Sequence, residues 1–238
     1  MGGRQKSAMT ELLLIHGSCF GAWAWEALIP ALARHGHHAR AIDLPGRGGT
    51  ATTLADQARA IDEALTAPTI LVGHSAGGFP ITAATSPQIA GRIYLAAYIP
   101  APGQSVASLR RAGPSQPMKG AFQITPDRSA YTFAPARCRD LFFHDCPDPG
   151  QDTARLCAEP IAPQETPLSH GPAQPAAAII CTEDRAIPPD WQRAMAKGLP
   201  QRDLASGHCP FLAMPNALAE TLSLLIHQIE NPTQSVAP

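Results

Sequence analysis

The chain is short of charge and of aromatic side chains, and it has no long apolar run. Of its 238 residues 16% are charged and 5% aromatic, and the formal net charge is −1 with a pI near 6.7. Nothing in so neutral a balance favours a nucleic acid or an anionic membrane surface as partner. No apolar stretch reaches the ~18 residues that a membrane span needs. Met1 to Ala8 lack the apolar centre of a secretory signal. Lys6 stands where a myristoylation motif needs Ser or Thr. Residues 1–10 therefore read as a disordered tail on a cytoplasmic protein, with Met9 an alternative start. Six cysteines are present, yet none forms a Cys-x-x-Cys pair, so reduced thiols are expected rather than a disulfide framework. His144-Asp145-Cys146 comes nearest to a metal-ligand cluster, but adjacent residues seldom converge on one ion, and ordinary packing is the plainer role. Neither a metal nor a cofactor is expected. Internal repeats and low-complexity tracts are also absent.

What is present is apolar patterning. Hydrophobic residues make up 45% of the chain, and its length suits one α/β domain with an insertion or two small domains. Buried strands are expected at 11–15, 39–42, 69–72 and 92–96, with helices over Trp23–Arg34, Leu54–Leu65 and Ala76–Thr85 between them. This alternation implies right-handed crossovers and a mostly parallel sheet. The pattern breaks over 100–175, which holds 13 of the 25 prolines. A structureless loop of that length is unusual, so an inserted lid is expected, with short helices at Ser105–Ala112, Arg137–Phe143 and Gln151–Cys157. The α/β pattern resumes with a strand at 177–181, a helix near Pro189–Lys197 and a strand near Arg202–Ala205. A final amphipathic helix, Pro215–Ile229, gathers Leu218, Leu222, Leu225, Ile226 and Ile229 on one face. Residues 11–99 and 176–231 thus form the core of the α/β fold and 100–175 its lid.

Gly73-His74-Ser75-Ala76-Gly77 directly follows the apolar run Thr69–Val72. A serine between small residues, at the end of a strand and the start of a helix, describes a nucleophile elbow. The turn leaves its flanking positions little room for a Cβ. Five residues alone are weak evidence, but serine needs a base, and the base a third group that fixes its tautomer. Downstream stand Thr182-Glu183-Asp184 and Gly207-His208, each beyond the carboxyl end of an expected strand, where open α/β sheets place ligands. Of nine histidines, His35, His37 and His38 belong to a helix-to-strand turn, His227 to the last helix, and His144 and His170 to the lid. His74 lies inside the elbow and is expected to pack or hydrogen-bond nearby. His208 has the right order and a small-residue approach, Ala205-Ser206-Gly207, and is the candidate base. Asp184 is the preferred acid because it precedes Ile187-Pro188-Pro189 with loop to spare; Glu183 is the alternative. Asp43 precedes the serine and has a plainer role in the turn Asp43-Leu44-Pro45-Gly46. A tetrahedral intermediate needs two N–H donors; Ala76 and Ser18, the latter in the loop His16-Gly17-Ser18-Cys19, are the candidates.

Together these segments, with Phe20-Gly21-Ala22-Trp23-Ala24-Trp25 and Cys181-Thr182-Glu183-Asp184, resemble the α/β-hydrolase superfamily. More closely, they resemble its branch of plant methylesterases and hydroxynitrile lyases with their bacterial esterase relatives, over about Leu12 to Ile229. The resemblance implies Ser75 as nucleophile, Asp184 as acid, His208 as base, and Ser18 and Ala76 as oxyanion donors. Hydroxynitrile lyases of the branch carry threonine where this chain has Gly17, and lysine where it has Cys209. Both differences point to ester hydrolysis. Phe20 departs from the histidine of many relatives. Ser75 separates the chain from dehalogenases and epoxide hydrolases, which use aspartate, and Ala76 from cofactor-free haloperoxidases, with a large aromatic there.

The expectation is a serine carboxylic-ester hydrolase for small, fairly apolar esters, methyl esters among them, acting as a monomer or homodimer. Lyase or acyl-transfer chemistry on the same triad is one alternative; a receptor-like protein that binds without turnover is another. Gly17, Cys19 and Phe20, with Phe122, Tyr131, Phe133, Phe142 and Phe143 from the lid, are candidate pocket residues. Packing of lid on body competes for the aromatics. The scarcity of Lys and Arg in the expected pocket loops weighs against highly charged substrates.

Overall fold

Leu12, Leu13, Leu14 and Ile15 are all fully buried, so the first strand has no solvent face; in a computed structural model, which describes residues 11–231, it lies inside a parallel sheet. This strand, β1 (Glu11–Ile15), is followed by a 3₁₀ turn at Ala22–Trp25 and helix α1 (Leu28–Arg34). The expected single helix from Trp23 is thus split. Pro30 lacks the N–H that would reach the Glu26 carbonyl, so the helix begins where Pro30 falls in its first turn. Next come β2 (His38–Ile42) and α2 (Leu54–Ala64). In the capping box of α2, Thr53 Oγ1 accepts from the Asp56 N–H (3.1 Å) and Asp56 Oδ2 from the Thr53 N–H (3.0 Å). Then follow β3 (Thr69–His74), a 3₁₀ turn at Ser75–Gly77, α3 (Gly78–Ala83) and β4 (Ile89–Leu95).

Between β4 and the next core strand the chain forms α4 (Val106–Ala112), β5 (Phe122–Ile124), β6 (Ala130–Phe133), α5 (Pro135–Leu141), α6 (Pro149–Arg155), β7 (Glu159–Pro160) and α7 (Ile161–Glu165). Strands β5, β6 and β7 make a separate antiparallel sheet in that order, which the sequence pattern did not anticipate. Strands of two to four residues are too short for alternation to register. Helices α5 and α6 each start two residues earlier than expected because Pro135 and Pro149 take their first turns. The chain closes with β8 (Ala176–Cys181), α8 (Pro189–Met195), β9 (Gln201–Leu204), α9 (Pro210–Ala213) and α10 (Pro215–Glu230). The expected tail, 1–10, lies outside the described residues.

The main sheet has six strands, all parallel, in the order β2-β1-β3-β4-β8-β9. Leu12 and Leu14 join one core with α1 and α10, where Leu218, Leu222, Leu225 and Ile226 are buried as expected. Leu13 and Ile15 face a second core with Ile61 of α2 and Ile81 of α3. From β1 the chain steps outward to β2, then returns past β1 to β3. This reversal opens a crevice at the carboxyl ends of β1 and β3, where His16-Gly17 and Ser75 follow. Asp184 and His208 follow β8 and β9 on the same sheet edge. Among the described residues no helix is long and apolar enough to cross a membrane.

Candidate active site

Ser75 follows the last residue of β3 with φ +53°, a left-handed conformation that costs a non-glycine residue about 1–2 kcal/mol. Close packing holds it there. A Cβ on Gly77 would come 2.6 Å from the His16 carbonyl oxygen and 2.9 Å from that of Ile15. The elbow thus seats directly on the end of β1. A Cβ on Gly17 would meet Ser75 Cβ at 2.8 Å and His74 Nδ1 at 2.9 Å. The Ser75 carbonyl accepts from the Tyr98 N–H (3.0 Å), tying the turn to the chain leaving β4.

His208 and Asp184 are brought together in the interior, with side chains 2% and 0% exposed and His208 Nδ1 2.7 Å from Asp184 Oδ2. The same carboxylate accepts from the backbone N–H groups of Ala186 (2.7 Å) and Ile187 (2.9 Å) and from Gln192 Nε2 (2.8 Å). Four donors thus fix its orientation. The residue left open as the alternative, Glu183, is exposed. Gln192 was not foreseen from sequence; it is buried in α8, and its other contacts go to the Ile187 carbonyl (2.7 Å) and the Cys181 N–H (3.0 Å).

His74 is fully buried and does not face the carboxylate: its Nε2–H donates to the His208 carbonyl (3.0 Å). Burial first, then His208 nearby, hold its pKa well below 6.5, so the ring is neutral. His16, also lowered by burial, donates from Nδ1 to the Gly17 carbonyl (2.9 Å) and accepts at Nε2 from the Leu44 N–H (3.0 Å). His37, in the helix-to-strand turn, is half-buried against Ser223 Oγ (2.9 Å) of α10.

The segment between β4 and β8 supplies two clamps that the sequence did not reveal. In the first, Asp145 Oδ2 accepts from the Gly207 N–H (2.7 Å) and from Ser206 Oγ (3.3 Å), while His144 Nε2–H donates to the Glu183 carbonyl (3.1 Å). Two adjacent residues of 100–175 thereby hold the loops of both His208 and Asp184. In the second, Glu159 Oε2 accepts from the Cys19 N–H (3.0 Å), and Gln164 bridges Glu159 Oε1 (3.2 Å) to the Ser18 hydroxyl (3.3 Å). Cys19 itself has φ +67°, and its carbonyl accepts from the Cys157 N–H (2.9 Å). Burial raises the Glu159 carboxyl to about 7, against the smaller opposite pull of its hydrogen bonds.

Ser75 and His208 line one small cavity of about 20 Å³, walled also by Ser18, Phe20, Tyr98 and Gln164 and closed by side chains of 100–175. It has room for about one water molecule. Of the candidate pocket residues, Phe20, Phe122, Tyr131, Phe133 and Phe142 line it. Gly17 and Cys19 stand behind, Cys19 turned with its thiol towards the Tyr131 carbonyl (3.8 Å). Phe143 packs in the wall on Phe20 and Phe142, at ring distances of 5.9 and 6.1 Å. An outer cavity of about 330 Å³ shares Tyr98, Arg110, Met118 and Phe122 with the inner one. The expected scarcity of cations is corrected here: Arg110, in the last turn of α4, lines both cavities. Its position follows from the folding of 100–175, which had no legible periodicity. Among the described residues no group of His, Cys, Asp and Glu forms a metal cluster. Six cysteines are free.

A profile of the alpha/beta hydrolase family matches residues 12–221. A pyrethroid hydrolase of Sphingobium wenxiniae is 30% identical, over 90% of this chain and 87% of its own length. Methylesterase 15 of Arabidopsis thaliana is 28% identical over 89% of this chain, which spans only 55% of that longer protein. Among solved structures, a crystal structure of the pyrethroid hydrolase PytH superimposes with a TM-score of 0.81, at 26% identity, covering 95% of this chain and 100% of the other. Plant methylesterases and a bacterial hydrolase are thus its relatives, as the sequence resemblance implied, and the chain belongs to the alpha/beta hydrolase family.

Proposed function

We propose that the protein is a serine carboxylic-ester hydrolase acting on small, fairly apolar esters, methyl esters included. The observation that carries this reading is the buried His208–Asp184 pair at 2.7 Å, behind a cavity that His208 and Ser75 line together. Asp184 accepts the Nδ1–H of His208, so Nε2 is free to take the Ser75 proton as Oγ attacks the ester carbonyl. The oxyanion is received by the N–H groups of Ala76 and Ser18. His208 then protonates the departing alcohol, and a water molecule, deprotonated by the same ring, releases the acid from Ser75. No step calls for a cofactor. Relatives named as esterases and hydrolases support the reaction class.

The lyase alternative is disfavoured by space. At Gly17, where the resembling lyases carry threonine, a Cβ would stand 2.8 Å from that of Ser75. Where they carry lysine, Cys209 is fully buried with its thiol pushed well up by burial. Six free thiols support a cytoplasmic setting. The reading leaves a monomer or homodimer equally suitable.

The test is labelling of Ser75 by a fluorophosphonate together with turnover of short-chain nitrophenyl esters and methyl hexanoate. Ser75→Ala is expected to abolish labelling and lower kcat by at least about 10⁴-fold. Absence of serine-dependent turnover favours the binding protein; cleavage of mandelonitrile favours the lyase.

A further inference from the structure

Arg110 is the one half-buried arginine among the described residues whose guanidinium has no polar partner. Its counterparts are all engaged: Arg92 on the carbonyls of Ile81 (2.7 Å) and Ala84 (2.8 Å), Arg155 on Glu26 (2.7 Å), Arg193 on Asp203 (2.7 Å). Arg40 and Arg137 donate to carbonyls, and Arg47 pairs with Asp43. Arg110 instead rests on the face of Phe122, its guanidinium carbon 4.3 Å from the ring centroid. That contact leaves the edge of the guanidinium plane, with its five N–H donors, uncommitted.

Its location gives the free edge a purpose. Arg110 belongs to the short list of side chains shared by the inner cavity, which Ser75 and His208 line, and the outer cavity of about 330 Å³. No aspartate or glutamate lines either cavity, and Lys119 adds a second cation on the outer one. A positive charge without a counter-ion therefore stands at the junction of the cavity that Ser75 lines and the larger one beside it. Phe122, Met118 and Tyr98 surround it with apolar and low-dielectric surface, which strengthens an ion pair formed there.

We propose that this junction is a carboxylate subsite. On the hydrolase reading above, and narrowing its small esters, the preferred ester is apolar except for one carboxylate on the part that enters the outer cavity, joined to the scissile carbonyl by a short apolar link. Half-esters of aliphatic dicarboxylic acids have this form. The link lies along Phe122 and Met118, and the carboxylate meets the guanidinium edge in a two-pronged pair.

The experiment compares monomethyl esters of the C4 to C8 dicarboxylic acids with methyl esters of monocarboxylic acids of equal length. For at least one length, the ratio of kcat/KM values, half-ester over neutral ester, is expected to fall about tenfold or more in Arg110→Met, which keeps the stem on Phe122. Arg110→Lys restores part of it, and in the unsubstituted protein raising salt from 0.05 to 0.5 M raises KM for the half-ester selectively. A ratio that ignores both variants and salt at every length overturns the subsite, while Ser75-dependent turnover of the neutral esters leaves the hydrolase reading standing. Should no ester be turned over, calorimetry of the half-esters on Ser75→Ala decides. Binding lost in Ser75→Ala/Arg110→Met sustains the subsite as the hydrolase reading fails, and no binding overturns both.

Discussion

Replacing Glu159 by glutamine isolates one titration at the buried link between β7 and the turn at Ser18-Cys19. Glu159 is 6% exposed, and burial raises its carboxyl from 4.5 to about 7. A carboxyl that holds its proton more tightly when folded than when unfolded contributes stability that is complete below the unfolded value. That contribution is lost as the pH rises through the folded value. The interval from 4.5 to about 7 corresponds to about 3 kcal/mol. Neighbouring groups do not confuse the reading: burial raises the thiols of Cys19 and Cys157 and the Tyr131 hydroxyl, so all three stay neutral through this window. Glu159→Gln keeps the shape and one oxygen for the Cys19 N–H, but does not titrate. Urea unfolding at constant ionic strength measures both proteins from about pH 4 to about pH 8. The stability of the unsubstituted protein minus that of the variant is expected to fall by about 3 kcal/mol across this range, most steeply between 4.5 and about 7. A difference that is constant with pH, or that rises, refutes the reasoning.

Asp184→Asn is expected to lower kcat by about 10³- to 10⁴-fold, because an amide can leave His208 in the wrong tautomer, whereas Glu183→Gln, at an exposed position, changes kcat less than about twofold. Steady-state kinetics on one nitrophenyl ester checks both, and the opposite ranking would transfer the acid to Glu183. Asp145→Ala leaves the Gly207 N–H without its acceptor, while the Ser206 hydroxyl keeps the Gly207 carbonyl (3.1 Å). The loop of His208 loosens, and kcat/KM is expected to fall about tenfold, chiefly through kcat; a change confined to KM would show that the clamp does not act through His208.

The parallel sheet and the order of the site were legible because both are local signals. A run such as Leu12–Ile15 has no polar position, which only a strand covered on both faces tolerates. The elbow is written in small residues, since its backbone leaves no space for a Cβ at Gly77. Strand ends then deliver Ser75, Asp184 and His208 to one edge, and topology alone requires it. Choosing Asp184 over Glu183 needed more: adjacent carboxyls differ in sequence by nothing decisive, and only folding puts one under four donors and the other in solvent.

Three short helices of 100–175 were legible, but its strands and the way the segment closes on the core were not, for a physical reason. Its strands have two to four residues and its helices five to seven, so no hydrophobic period completes itself, and prolines mark starts rather than faces. Its order comes from long-range bonds, Glu159 to Cys19 and Asp145 to Gly207, between residues more than 60 positions apart. By itself, then, the sequence determined the sheet, the elbow that carries Ser75 and the chain order of Asp184 and His208 after it, because these follow from local backbone sterics and strand burial. Tertiary structure alone decided which side chains close the cavity and where the free charge of Arg110 falls, because those depend on contacts that no local pattern encodes.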